Sequence, residues 1–130
     1  MKKQALTFWR CNHCGNIAEK IVNSGVNMVC CGEPMQELIP NTVEASVEKH
    51  LPVVTKIDDC TMKIDVGSTP HPMTEEHHIV FICLETEDGS EHVMLEVNGK
   101  PEAEFCTCKH KPMAAYAYCN LHGMWKTEIK

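Results

Sequence analysis

Apolar and polar residues alternate with a period of two over Met62, Ile64 and Val66, and again over Val93, Leu95 and Val97. That is the pattern of strands that bury one face. Glu87-Asp88-Gly89 and Val97-Asn98-Gly99-Lys100 carry the Asp-Gly and Asn-Gly dipeptides that turn one strand back on the next, and both predict hairpins. No window holds a sustained helical period with caps. Several short strands at this spacing predict a mainly β chain whose larger part, residues 39–130, is an antiparallel sandwich. Ile39-Pro40-Asn41-Thr42 reads as a linker. The segment before it, residues 1–38, is short and cysteine-rich, with Gly15, Gly25 and Gly32 between or beside the cysteines. So small a segment buries too little apolar surface to fold alone, which points to a metal as its organiser.

Composition narrows the function. The chain has 130 residues, 43% of them hydrophobic, and a formal net charge of -6, with Arg10 as its sole arginine. An acidic surface argues against nucleic acid as a partner. Met1-Lys2-Lys3 is basic but no apolar run follows, so neither a signal peptide nor a membrane span is expected. Nine cysteines in a secreted chain would suggest a disulfide scaffold. An odd count without a signal instead favours metal ligation in a reducing cytoplasm.

Two donor sets stand out. Cys11 and Cys14 are two residues apart, and Cys30 and Cys31 follow after fifteen more. A two-residue spacer lets both thiolates of a knuckle face one metal. The adjacent pair does so only where the backbone turns sharply, and Gly32 comes next. Four thiolates close a tetrahedron, which moves an electron if it holds iron and is a staple if it holds zinc. His13, inside the knuckle, is then a surface residue. The second set is Cys119 and His122 near the end of the chain with His50, His71 and His77 upstream. One thiolate with four imidazoles is unusual for structural zinc and suits a redox-active metal. Periodicity does not choose between His77 and His78, since on a strand each shares a face with apolar residues. Two sites of different chemistry suggest electron transfer feeding a reaction.

These motifs, in order, resemble the desulfoferrodoxins, the two-iron class of superoxide reductase. The carriers are Cys11-x2-Cys14-x15-Cys30-Cys31, Glu48-Lys49-His50, His71-Pro72-Met73 with His77, and Cys119-Asn120-Leu121-His122-Gly123 before Trp125-Lys126. The resemblance implies a small desulforedoxin-like, rubredoxin-related metal domain followed by an immunoglobulin-like β-sandwich. It implies two irons per chain: one on Cys11, Cys14, Cys30 and Cys31, where zinc also fits, and one on His50, His71, His77 and His122 in a plane with Cys119 axial. Its spacing selects His77 over His78. The implied reaction is one-electron reduction of superoxide to hydrogen peroxide at an open sixth position, with re-reduction by an external donor, typically rubredoxin. Lys49 would draw the anion in, Glu48 would reach the sixth position in the ferric state, and the chain would act as a cytoplasmic homodimer.

The residues outside these motifs read more plainly. His92 and His110 are expected at the surface. Cys83, in an apolar strand, is expected in the core. Cys60 belongs to neither set, and Cys106 and Cys108, ahead of the basic Lys109-His110-Lys111, read as incidental thiols, with redox sensitivity or adventitious metal binding as the alternative. The alternatives are a cupredoxin-like carrier built on Cys119, His122 and Met124, a carrier using the four-cysteine iron alone, and a structural zinc protein.

Overall fold

Strands in the first forty residues are too short to enclose a core. The structure is a computed structural model that describes residues 4–130, and its two compact units divide between Ile39 and Pro40. In the first unit β1 (Thr7–Arg10) pairs with β2 (Ile17–Lys20), while β3 (Val29–Cys30) and β4 (Glu33–Pro34) form a tiny hairpin. A last strand, β5 (Gln36–Glu37), adds to the other edge of β1. Only Phe8, Cys11 and Met35 are buried among its described residues. Three side chains are far short of a self-supporting core.

The second unit opens with a single helical turn, α1 (Val47–His50), and continues through seven strands. These are β6 (Pro52–Asp58), β7 (Thr61–Val66), β8 (Ile79–Thr86), β9 (Ser90–Met94), β10 (Glu102–Cys106), β11 (Pro112–Cys119) and β12 (Gly123–Glu128). One sheet runs β10-β7-β6 and the other β12-β11-β8-β9, with every pairing antiparallel. Met62, Ile64 and Val66 all face inward, meeting Ala103 and Phe105 of their own sheet and Ile82, Leu84, Ala115 and Ala117 of the other. The alternation in β7 thus defines the inner face of the sandwich. Among the described residues, no helix is long and apolar enough to cross a membrane.

A bulge sets up the functional end. Tyr118 pairs with Phe81 but Cys119 pairs with Ile79, so Val80 is extra in the ladder. The phase shift turns Ile79 into the same core as Ile82 and Leu84. The strand face expected for His77 or His78 is not realised, because both lie in the loop before β8.

Three further expectations change. Asp88-Gly89 does form the β8–β9 hairpin, with Thr86 N–H donating to Gly89 O at 2.9 Å. Asn98-Gly99 forms a turn but no hairpin. Asn98 has φ 69 and its N–H donates to Met73 O, and the chain then crosses to the other sheet, where β10 pairs with β7. Leu95 and Val97 accordingly fall outside β9. The expected linker is also partly structured. Asn41 N–H donates to Met124 O at 3.0 Å, and its side chain bonds both backbone groups of Lys126, so it extends the edge of β12. Finally, Cys108 is not an incidental thiol: a disulfide joins it to Cys60 across 48 residues. The β10-β7-β6 ladder brings the β6–β7 turn beside the end of β10, a proximity that sequence spacing does not reveal. Cys83 is fully buried, as expected of a core residue.

Gly67 fixes α1 to the sandwich. Its φ is +85, and a Cβ there would overlap Thr69 O and lie 2.7 Å from Lys49 O. Its N–H donates to Leu51 O at 3.0 Å, while Thr69 N–H and the Ser68 hydroxyl both donate to Glu48 O. Gly67→Ala is expected to cost about 2 kcal/mol or more, from the left-handed backbone and the carbonyl overlap together. Denaturant unfolding measures it, and an unchanged midpoint would contradict the close packing.

Candidate metal centres

In the first unit, tight turns bring the four cysteines together. Gly15, at φ +81, lets its N–H return to Cys11 O at 2.9 Å, closing the knuckle after β1. Between β3 and β4, Cys31 at φ 54 and Gly32 at φ 76 reverse the chain in left-handed conformations. That reversal lets adjacent cysteines face one point. The four sulfurs lie within 4.8 Å of one another. Cys14 Sγ and Cys30 Sγ are 3.7 Å apart, roughly the edge of a tetrahedron whose centre is about 2.3 Å from each sulfur. The Cys14 N–H, 3.5 Å from Cys11 Sγ, heads the interactions that draw the Cys11 thiol down to about 6. The neighbouring thiols Cys11 and Cys14 push Cys31 up to about 12, and Cys30 also rises. Four crowded sulfurs resist joint ionisation unless a cation sits among them, and sulfur-only donors suit iron or zinc. His13 points away, exposed and 3.0 Å from Glu33.

The second unit gathers the imidazoles. His50 ends α1, and its Nδ1 lies 2.7 Å from Ser46 O. His71 Nδ1 lies 2.7 Å from Pro72 O. A carbonyl only accepts, so in each neutral ring Nδ1 carries the proton and Nε2 is a bare lone pair. Yet the two Nε2 atoms sit 3.1 Å apart, where neither can bond the other. His77 Nε2 is buried with no hydrogen-bond partner. His122 turns Nδ1 inward, 3.1 Å from His50 Nε2 and 3.9 Å from Cys119 Sγ. The donor atoms of His50, His71, His77 and Cys119 all lie within 4.8 Å of one another.

The rings stand as a four-sided pen. Neighbouring centroids are 4.6 Å (His50–His71), 4.6 Å (His71–His77), 5.0 Å (His77–His122) and 4.9 Å (His122–His50) apart, and neighbouring planes are nearly perpendicular. The diagonal pair His50 and His77 is 6.2 Å apart. Converging imidazole nitrogens, one of them buried without a partner, and one sulfur fit a cation with mixed nitrogen and sulfur preference. Four imidazoles also exceed the two of a blue-copper site, which leaves the cupredoxin alternative without support.

Electrostatics prepares the same state. Burial lowers the pKa of His71 to about 4 and also lowers those of His50 and His77, so all three rings are neutral at neutral pH. Burial raises the Cys119 thiol, and the backbone N–H groups of Leu121 and His122 oppose that rise by favouring the thiolate. Lys49 is exposed beside His50 on α1, and its charge is felt at both His50 and His77. Glu48 precedes it, also exposed.

Positioning residues complete the site, and residue type alone does not single them out. Asn120 accepts from His78 N–H at 2.9 Å, donates to Glu76 O at 2.9 Å, and donates its own N–H to His78 O. It thereby ties the His77 loop to the Cys119–His122 turn. Trp125 stacks on His50, with centroids 5.0 Å apart, and its Nε1 donates to His122 O. His78 bonds Thr74 O outside the pen. His92 is exposed on β9, and His110 is exposed and paired with Asp88 at 2.9 Å.

Comparison with known proteins agrees with this geometry. The family model described as desulfoferrodoxin matches residues 42–128, and that of the desulfoferrodoxin N-terminal domain matches residues 4–38. The desulfoferrodoxin of Nitratidesulfovibrio vulgaris is 44% identical over 120 residues, spanning 92% of this chain and 94% of that protein. A superoxide reductase of Thermococcus kodakarensis is 34% identical over 99 residues, spanning 63% of this chain and 86% of that protein. Among solved structures, the superoxide reductase from Treponema pallidum superposes with a TM-score of 0.80 at 35% identity, covering 96% of this chain and all of that one. With both units matched and both donor clusters formed, the chain belongs to the desulfoferrodoxin family.

Proposed function

We propose that this chain is a two-iron superoxide reductase, with residues 1–38 as a four-cysteine iron domain and residues 39–130 as the catalytic domain. One observation carries the reading: inward-facing imidazole nitrogens and one sulfur meet at a buried point where His77 Nε2 has no protein partner. His50, His71, His77 and His122 would hold the catalytic iron together with Cys119, and Cys11, Cys14, Cys30 and Cys31 the other. Iron bound there supplies a one-electron couple, so that superoxide, one electron and two protons become hydrogen peroxide, with the thiolate donating electron density as in haem-thiolate proteins.

The chain's own residues prepare that reaction. The Ser46 and Pro72 carbonyls fix two tautomers, and burial keeps the rings neutral and ready to ligate. The Leu121 and His122 N–H groups stabilise the sulfur as a thiolate. Lys49 supplies local positive charge on a chain of net charge -6, which would otherwise repel an anion. Glu48, one residue before Lys49, is the carboxylate that would reach the open position when superoxide is absent. A small redox protein of the rubredoxin kind is the electron donor in this reading, and the cytoplasm is its setting because free thiols must survive to bind metal. Exposed Ile21, Val22, Val26 and Val29 in the first unit support self-association as a homodimer.

The functional test is stoichiometry. With an excess of chemical reductant, the loaded protein should form one hydrogen peroxide per superoxide and no dioxygen. Half that yield with dioxygen release would indicate dismutation instead. The double variant His50→Ala, Cys119→Ser should lose superoxide consumption and one iron per chain while keeping the four-cysteine centre, and full activity in that variant would refute the ligand set. Lys49→Ala should slow the encounter with superoxide about tenfold and flatten its dependence on ionic strength, with both irons retained. Pulse radiolysis at several salt concentrations reads both effects, and an unchanged rate would remove Lys49 from the mechanism.

Acid should weaken the metal-free fold. The His71 pKa falls from 6.5 to about 4 on folding, so between those values the unfolded chain binds more protons than the folded one. The contribution is complete above pH 6.5 and is lost as pH drops towards 4. Thermal melts of the metal-free protein across that window should show a falling midpoint, and His71→Gln should flatten the slope.

A further inference from the structure

Three of the four cysteines outside the metal clusters meet at one end of the β10-β7-β6 sheet. Cys60 occupies the β6–β7 turn, its N–H held by Asp58 Oδ1 at 2.8 Å. Cys106 ends β10 opposite Thr61, and Cys108, two residues on, is the disulfide partner of Cys60. Thr107 N–H donates to Cys60 O at 2.8 Å, so the ladder itself continues to this point. The backbone therefore brings Cys60 and Cys108 within bonding reach, with Cα atoms 4.4 Å apart.

All three residues are exposed, in contrast to the fully buried Cys83. Exposure decides what such a pair can do. A disulfide sealed in a core resists exchange, whereas one open to solvent can be attacked by an incoming thiolate and re-formed by an oxidant. Cys106 remains a free, exposed thiol beside the pair, in a groove that Lys109 and His110 also line. Neither metal cluster includes any of these sulfurs.

We propose that Cys60 and Cys108 form a reversible dithiol–disulfide couple, a redox site separate from both metal centres, oxidised by hydrogen peroxide and reduced by a small thiol. In the oxidising direction one thiolate attacks the peroxide O–O bond, forming a sulfenic acid and releasing water. The second sulfur then displaces the sulfenic oxygen, which leaves as another water, and the S–S bond forms. Two electrons leave the sulfur pair and both enter the peroxide. In the reducing direction a small thiol opens the bond as a mixed disulfide, and a second small thiol releases the dithiol and departs in a small-molecule disulfide. The link to the superoxide chemistry rests on the function proposed above only in that this chemistry would supply the peroxide. The couple itself does not require it.

The test uses the full chain with its metals bound. The protein is treated with graded dithiothreitol, desalted, exposed to one equivalent of added hydrogen peroxide, then alkylated and mapped by peptide mass spectrometry. Mild reduction should make Cys60 and Cys108 alkylatable while Cys83 stays protected. Peroxide should then restore the linked Cys60–Cys108 peptide and protect both residues. Cys106→Ser should retain the cycle. Cys60→Ser and, independently, Cys108→Ser should abolish the linked peptide and leave the surviving member of the pair as a sulfenic acid that dimedone traps. Because peroxide is added, a protein inert to superoxide but cycling these thiols would refute the reductase reading alone. The couple is overturned if both thiols stay alkylatable after peroxide, if the linked peptide survives reductant that opens a small-molecule disulfide, or if Cys106→Ser stops the cycle.

Discussion

Burying the lone pair of a neutral imidazole with nothing to bond it is costly, and this chain arranges several around one point. His50 and His71 face each other through bare Nε2 atoms at 3.1 Å, and His77 Nε2 is orphaned beside them. Unsatisfied polar groups in a protein interior cost on the order of 1–3 kcal/mol each. A cation that accepts all of them turns that cost into binding free energy, which is how metal binding becomes part of folding. The closed set of four sulfurs in the first unit follows the same logic with a weaker scaffold, since so few side chains are buried there. Metal organises the first unit, whereas in the second the sandwich organises the metal site.

Much of the second unit serves that arrangement. Gly67 admits the close approach that seats α1 and His50, and the bulge at Val80 ends the β8–β11 ladder next to Cys119. Asn120 then joins the His77 loop to the turn that carries His122. The donors come from α1, from the stretch before β8 and from the Cys119–His122 turn, so the geometry survives only while two packed sheets hold those segments in place. Lys49 and Glu48 gain their position from the same turn that places His50. The Lys49 charge and the His50 ring are therefore placed by one short helix.

What the sequence made legible divides along a physical line. Local signals were readable: the alternation of Met62, Ile64 and Val66, the Asp88-Gly89 hairpin, the cysteine knuckle with its glycines. The histidine set was readable only through its resemblance to a family, because ligands 72 residues apart leave no local trace. Residues whose roles depend on which strands become neighbours escaped. The Asn98-Gly99 turn carries the chain between sheets, Asn41 joins β12, and Cys60 meets Cys108 because β7 lies between β6 and β10. His77 and His78 show the same limit. A strand alternation could not choose between them because the chain there is a loop, and Asn120 and Thr74 make the choice.

Cys119 and the four histidines would form one iron site, independent of the four-cysteine site. Optical spectroscopy of the iron-loaded protein during reductive titration, beside its Cys119→Ser variant, addresses it most directly. Two sets of thiolate-to-iron bands are expected in the parent, with one set lost in the variant and the four-cysteine bands unchanged. An identical spectrum in the variant, with both sets titrating as before, would contradict it.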